Sequence, residues 1–295
     1  MTPPRLAAHL IVGLYPEPFL SALLESLTGA ADALIVNDNS AEPSPHAQAL
    51  QASWFGRNGR LLVDRTPFTD FGTARNICLD LHRKAGAGAW AAFVDADEVH
   101  GEAVRRIARN VHGLPDRYDF VDGYTQHFFQ SFDLYWSIDR RMAFFRVRPG
   151  VRWEGRVHEH LHGLSGTRIA LPYVYAHYGQ AVPARRHAEK GRQYASLGQE
   201  GVTVPEERLD ALDPADYFKL YWPHLLRFQG EHPPAARATI TALRRANERE
   251  LAQAEALWRS AQTPPVRLRN VLRKLNYEQR WRLRALNPRA RELLR

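Results

Sequence analysis

The first hundred residues alternate two patterns. Short, almost wholly apolar runs, "AAHLIVGLY" (7–15), "DALIVNDNS" (32–40), "GRLLVDRT" (59–66) and "AWAAFVDADE" (89–98), end in polar or turn residues. Runs of that length and composition are what strands buried on both faces require. Between them lie stretches with helical spacing. Phe19, Leu20, Leu23, Leu24 and Leu27 form one stripe, "HAQALQASWF" (46–55) reads as a short helix, and "TARNICLDLHRKAG" (73–86) reads as a helix capped near Thr73 and closed by Gly86 or Gly88. Strand–helix–strand repetition predicts an α/β fold with a mixed, mainly parallel sheet between helices. From about 118 to 180 the pattern turns to β alternation with Pro and Gly turns, and after about 182 it turns helical. The expected organisation is therefore a domain over 1–180 and a helical region over 181–295.

Composition narrows this picture. The 295 residues are 44% hydrophobic and 24% charged, as in a soluble domain that buries a full core. Cys78 is the lone cysteine, which rules out an internal disulfide and a thiolate zinc site and fits a reducing compartment. The N-terminal stretch lacks the charged and apolar regions of a secretory signal, and no run of 18 apolar residues could span a bilayer. The net charge of +8 is local: residues 264–295 hold ten Lys/Arg and two Glu, leaving the first 263 residues balanced at 30 basic and 30 acidic. A nucleic-acid enzyme would carry basic charge on its working domain, so no nucleic-acid partner is expected.

In open α/β sheets, ligands bind beyond the carboxyl ends of the strands. Polar clusters sit at three such ends: Tyr15-Pro16-Glu17, Asn37-Asp38-Asn39-Ser40 and Asp95-Ala96-Asp97-Glu98. Asp95 and Asp97, two apart after an apolar run, suit a hard divalent cation, which takes oxygen ligands. The same string with Val99 fits a D-x-D-x-[TV] phosphatase motif. That motif ends the first core strand of its fold, whereas two strand–helix units precede it here. His158, Glu159 and His162 spell the H-E-x-x-H zinc-peptidase signature, which needs a helix. Gly155 and Gly163 leave seven residues between them, too few for a stable helix. A hairpin is expected instead, with His158, His160 and His162 on one face and Glu159 on the other.

Together these segments resemble family 2 glycosyltransferases of the GT-A fold, and more narrowly the branch with lipopolysaccharide-core glucosyltransferases and SunS-like peptide glycosyltransferases. The likeness runs over residues 8–180. "IVGLYPEPFLSALLESL" is similar to the family's first strand and helix, "LIVNDNS" to its D-D-G-S strand end, and "DFGTARNICLD" to its D-F-x-x-x-R-N segment. "WAAFVDADE" resembles its D-x-D strand, "FFRVRPGVRWEGRVHEHL" its V-H-E segment, and "YAHYG" a later H-x-G element. On this resemblance H-E-x-x-H is an accident of a V-H-E motif followed by two more histidines.

The resemblance implies an inverting transferase that moves a sugar from a nucleotide-diphosphate donor to a glycan, lipid-linked or peptide acceptor. Asp38 would contact the nucleoside, Arg75 the nucleotide or diphosphate, and Glu17 the donor site. Asp95 and Asp97 would hold Mg²⁺ or Mn²⁺ against the diphosphate, with His158 or His177 completing the metal shell or touching phosphate. Glu159 would be the general base. Asn37 departs from the first Asp of D-D-G-S, and Tyr15-Pro16 from a Lys-Asn pair. A catalytically silent scaffold of the same fold is the alternative, against which the intact Asp95 and Asp97 argue.

Within the basic tail, Leu268, Val271, Leu272 and Leu275 recur at i, i+3, i+4 and i+7 among arginines. The pattern suits either a helix on an anionic membrane surface or a helix docked on the body by its apolar stripe.

Overall fold

A computed structural model describes residues 3–13, 15–199 and 203–295. Leu14 of the first apolar run and Glu200–Gly201 at the end of an expected helix lie outside them. The first half alternates as the pattern predicts: β1 (Leu6–Val12), α1 (Leu20–Leu27), β2 (Ala33–Asp38), the short helices α2 (Ala47–Ala52) and α3 (Trp54–Arg57), β3 (Leu61–Asp64), α4 (Phe71–Lys84) and β4 (Trp90–Phe93). β1 shows why its run is apolar but for His9, which pairs with His82. Leu6, Ala8, Leu10 and Val12 face a cluster with Leu20, Leu23, Leu24 and Leu27 of α1, while Ala7 faces Cys78 of α4 on the other side. Side chains of a strand alternate faces, so a strand covered on both sides has no polar position to spare.

A two-residue strand β5 (Glu98–Val99) and α5 (Ala103–Asn110) lead into the long strands β6 (Tyr118–Phe129) and β7 (Leu134–Arg146). The hairpin β8 (Arg152–Glu154) and β9 (His160–His162) follows, then β10 (Thr167–Gln180). The main sheet runs β3-β2-β1-β4-β7-β6-β10-β5. It is parallel from β3 to β4, antiparallel where β7 joins β4 and β6, parallel between β6 and β10, and antiparallel again at β5. The remainder is α6 (Ala184–Ser196), α7 (Pro214–Tyr217), a short strand β11 (Leu226–Arg227) on β7, α8 (Arg237–Ala246), α9 (Glu248–Ala261), α10 (Pro264–Arg284) and α11 (Pro288–Leu294). This is the mixed α/β architecture with a helical C-terminal region that the sequence predicted. The last helix returns to the body, where Ala290 and Leu293 are buried in the main core.

Two local expectations change. The cap of α4 is Asp70, whose carboxylate accepts from Thr73 N at 2.7 Å and Thr73 Oγ1 at 2.9 Å, so the helix starts ahead of Thr73. The H-E-x-x-H string forms no helix: His160–His162 is a strand paired with β8, and His158 turns at φ +55° just before it. The peptidase geometry is thereby absent. His160 and His162 do share an exposed face, but the turn takes His158 out of that alternation.

Candidate functional site at the carboxyl ends of the strands

Asp95 and Asp97 leave β4 and turn at once into β5, whose Glu98 is registered against His177 of β10. That pairing lays the end of β10 across the aspartates. Tyr178 N donates to Asp97 O at 2.8 Å, and His177 Nε2 stands 3.3 Å from Asp97 Oδ1. Gly179 is required here on space alone: a Cβ would lie 2.2 Å from Asp97 Oδ2. The H-x-G element thus sets one histidine beside the second aspartate and removes the side chain that would displace it.

Asp95 is clamped on both oxygens. Arg75 Nη2 donates to Oδ1 and Arg141 Nη2 to Oδ2, each at 2.5 Å, and the two guanidiniums flank the Phe93 ring at 4.1 and 4.8 Å from its centroid. Arg75 spends its other donors inside the protein as well, on Val94 O and on Glu159 Oε1, both at 3.3 Å. Arg141 also holds Glu98, which is fully buried, at 2.8 Å. Burial pushes the Asp95 carboxyl up, but Arg141 and Arg75 outweigh it and hold it well below the usual carboxylate range. Asp97 is likewise lowered, burial being overcome by His177 and Lys190. Burial also lowers His177, Asp97 opposing it, so the imidazole is neutral at pH 7 and Lys190 is the charge that counts for Asp97 there. Lys190 Nζ lies 3.2 Å from Asp97 Oδ2; burial disfavours its charge, but Asp97 and Glu17 raise its pKa.

The D-F-G-x-x-R-N segment ties the V-H-E turn to this cluster. Phe71 N and Gly72 N, at the open end of α4, donate to Arg156 O and Gly155 O at 3.0 and 3.2 Å. A Cβ on Gly72 would stand 2.6 Å from Gly155 O. Asn76 clamps the backbone of Trp153 in both directions at 2.9 Å. Glu159 is thereby delivered to Arg75, while His158 lies on the exposed side of the turn.

Glu17 lines a cleft of ≈ 170 Å³ with Asp97, Gly179, Arg186 and Lys190. Burial raises its carboxyl to about 7 against the pull of Lys190. Arg186 covers the Tyr15 ring at 3.9 Å and approaches Glu17 at 3.9 Å. Arg186 and Lys190 are one turn apart on α6, so both fall on the face that closes this cleft. Asp38, at the end of β2, accepts from Ser40 Oγ and Ser44 Oγ at 2.6 Å each and from Arg65. Burial raises its carboxyl, and these hydrogen bonds more than reverse the effect. Asn37, which departs from the D-D-G-S pattern, bridges β2 to the end of β3 through Thr66 O at 3.2 Å.

The structure therefore brings Glu17, Arg75, Asp95, Asp97, Glu159 and His177 into one connected cluster and leaves His158 outside it. Glu98 and Asn76, which stood in the strand-end and R-N segments, join the cluster without having been given a role there, and Arg141 and Lys190 join it without having been singled out in the sequence. Of these two, Lys190 alone carried a signal, its spacing from Arg186. As a ready-made site for Mg²⁺ or Mn²⁺ the arrangement does not fit. Both oxygens of Asp95 are taken by guanidiniums and one of Asp97 by an ammonium. Among the described residues no three His, Cys, Asp or Glu side chains are grouped to hold a metal ion.

No family model matches the chain, and no curated protein matches it. Among solved structures it is similar to S. aureus TarS residues 1–349, at 12% identity and TM-score 0.35, over 89% of this chain and 82% of that one. In a longer S. aureus TarS structure the likeness spans half of that chain, at TM-score 0.34 and 12% identity over 89% of this one. A third is a putative glucose-1-phosphate thymidylyltransferase from Bacillus anthracis in complex with a sucrose, at 9% identity and TM-score 0.31, over 84% of this chain and 95% of that one. At these scores none of them assigns a role to a residue here.

Proposed function

We propose that the protein is an inverting glycosyltransferase of family 2 type with a GT-A domain over residues 1–180. It takes a sugar from a nucleoside-diphosphate donor and passes it to a glycan, lipid-linked or peptide acceptor. The observation that carries this reading is the convergence of Glu17, Asp97, Lys190 and Arg186 on one cleft at the carboxyl ends of the strands, with Glu159 tied through Arg75 to the neighbouring Asp95. A diphosphate leaving group needs fixed positive charge, and Lys190 and Arg186 supply it from α6. Asp97 and Glu17 hold those cations in place before the donor arrives. Glu159, oriented by Arg75, takes the proton of the acceptor hydroxyl. The acceptor oxygen bonds to the anomeric carbon from one face as the bond to the diphosphate oxygen breaks on the other. Arg75 itself acts by positioning Asp95 and Glu159, since each of its three nitrogens is bonded within the protein. Mg²⁺ or Mn²⁺ would have to displace Lys190 from Asp97 to bind there.

One observation favours the silent-scaffold reading: both oxygens of Asp95 are already neutralised. A single experiment separates the two. Melting temperatures are measured with each nucleoside diphosphate, with and without Mn²⁺. A ligand at 100 times its Kd adds about 2.7 kcal/mol, roughly 5 °C for a domain of this size. A rise with one nucleotide that disappears in Asp97→Ala supports the transferase. No rise with any nucleotide, in folded protein, leaves the scaffold.

A further inference from the structure

The apolar stripe of the C-terminal region faces away from the protein. Among the described residues nine large hydrophobic side chains are exposed, and six of them, Leu268, Val271, Leu272, Leu275, Leu283 and Leu286, lie on α10 or the turn after it. Exposure runs from 49% at Leu275 to 65% at Leu283. At about 100° per residue the five on α10 fall on one side of the helix, about 180° from Asn270 and Tyr277. The opposite side is the one that docks. Asn270 donates to Pro223 O at 3.1 Å, Arg273 to His224 O at 2.7 Å and to Trp136 O at 2.9 Å, and Tyr277 and Trp281 join an aromatic cluster of the body. Polar and aromatic groups thus hold the helix down while its aliphatic side is left uncovered.

Both ends of α10 are fixed. Gln262 Oε1 accepts from Asn270 at its start, and beyond its end α11 buries Ala290 and Leu293, with Asn110 donating to Glu292 O at 3.1 Å. The uncovered side is therefore a rigid ridge about 30 Å long, given 1.5 Å per residue over 21 residues. Exposed arginines border it at Arg267, Arg269 and Arg280, and Arg282 lies within it. Glu278 is the one acidic residue of the helix.

We infer that α10 is a docking surface for an anionic lipid membrane, with the aliphatic stripe entering the acyl boundary and the flanking arginines meeting the headgroups. An aliphatic face bordered by basic residues, on a helix with no segment apolar enough to cross, is the composition of an interfacial helix. The charge fits as well, since the chain's whole excess of +8 lies within residues 264–295. The inference is independent of what the cleft transfers.

The test is co-sedimentation of the full chain with vesicles of phosphatidylglycerol and phosphatidylcholine, or of phosphatidylcholine alone, with oligomeric state measured by light scattering. The variant is Leu272→Glu/Leu275→Glu, both at exposed positions, so the fold is kept and circular dichroism checks it. Ending the chain near 263 would instead strip Ala290 and Leu293 from the core. The expected result is binding to the anionic vesicles only, weakened at least tenfold in the variant and weakened again by 0.5 M salt, on the scale of a ~10 Å screening length at 0.1 M. Equal binding by the folded variant, or no binding by the unaltered chain, overturns the proposal. So does a dimer that the variant dissolves without any vesicle binding, since the stripe would then pair with a second copy.

Discussion

Arg141→Met tests the network beneath the site most directly. Arg141 holds two carboxylates, Asp95 at 2.5 Å and Glu98 at 2.8 Å. Breaking a buried pair by removing one partner costs about 3–5 kcal/mol. Two features place this case at the low end. Asp95 keeps Arg75 as a partner, and Glu98, whose carboxyl burial has already raised to about 8, is largely protonated at pH 7. The expected loss at pH 7 is therefore about 3 kcal/mol, from the Asp95 bond and from the guanidinium over Phe93. The pH dependence carries the sharper test. A carboxyl with a raised folded pKa binds more protons folded than unfolded, so its contribution is present at low pH and is lost as pH rises towards the folded value. In the parent the slope of that loss has halved at pH 8 and dies away above it. Without Arg141 the folded value moves higher still and the loss continues, so the gap between parent and variant widens by about 1 kcal/mol from pH 8 to pH 9. Urea unfolding followed by tryptophan fluorescence, extrapolated to water at pH 7, 8 and 9, reads both quantities. Repeating the series on Glu98→Gln should abolish the widening. A cost under 0.5 kcal/mol at pH 7, or a gap that stays constant to pH 9 with Glu98 present, would refute the assignment of Arg141 as the partner of both acids.

Three further outcomes follow from the same contacts. Gly179→Ala puts a Cβ against the Asp97 carboxylate, which Lys190 and His177 hold in place, so it should cost about 1–3 kcal/mol in urea and abolish any nucleotide-induced rise in melting temperature. His82 Nε2 must donate to Gly88 O at 2.8 Å, which leaves its Nδ1 to accept from His9 Nε2 at 2.9 Å, and both rings are buried with lowered pKa values, chiefly through desolvation. Folded, the pair excludes protons that the unfolded chain takes up below about pH 6.5, so stability is full above that pH and falls below it by up to about 1.4 kcal/mol per pH unit for each ring, and the fall should be shallower in His9→Leu/His82→Met. Cys78 is buried, and burial lifts its thiol to about 11, so a thiol reagent at pH 8 should modify it only after urea is added.

Patterns that depend on neighbours in sequence were legible, and those that depend on register across the sheet were not. β1, β2 and β4 could be read because burial on both faces keeps them almost wholly apolar, and the clusters at their ends follow from strand direction alone. Arg141 lies 46 residues from Asp95 and Lys190 lies 93 from Asp97. What joins them is the antiparallel seating of β7 on β4 and the return of α6 over the cleft, which no local period encodes. The α4 cap was misplaced for a smaller reason: Asp70 and Thr73 are both good cap residues, and only the bond between them shows which one accepts. α10 marks the limit most clearly. Its spacing of Leu268, Val271, Leu272 and Leu275 revealed an amphipathic helix but could not say which side the body takes. An apolar stripe normally turns inward because burying each leucine is worth roughly 1.5–3 kcal/mol. Here the inward side is fixed by Asn270, Arg273, Tyr277 and Trp281, whose partners Pro223, His224 and Trp136 lie far away in sequence. A chain that spends polar contacts to hold its aliphatic side outward forgoes the burial a folded monomer could have taken, and that sacrifice is what a helix built for an external apolar surface requires.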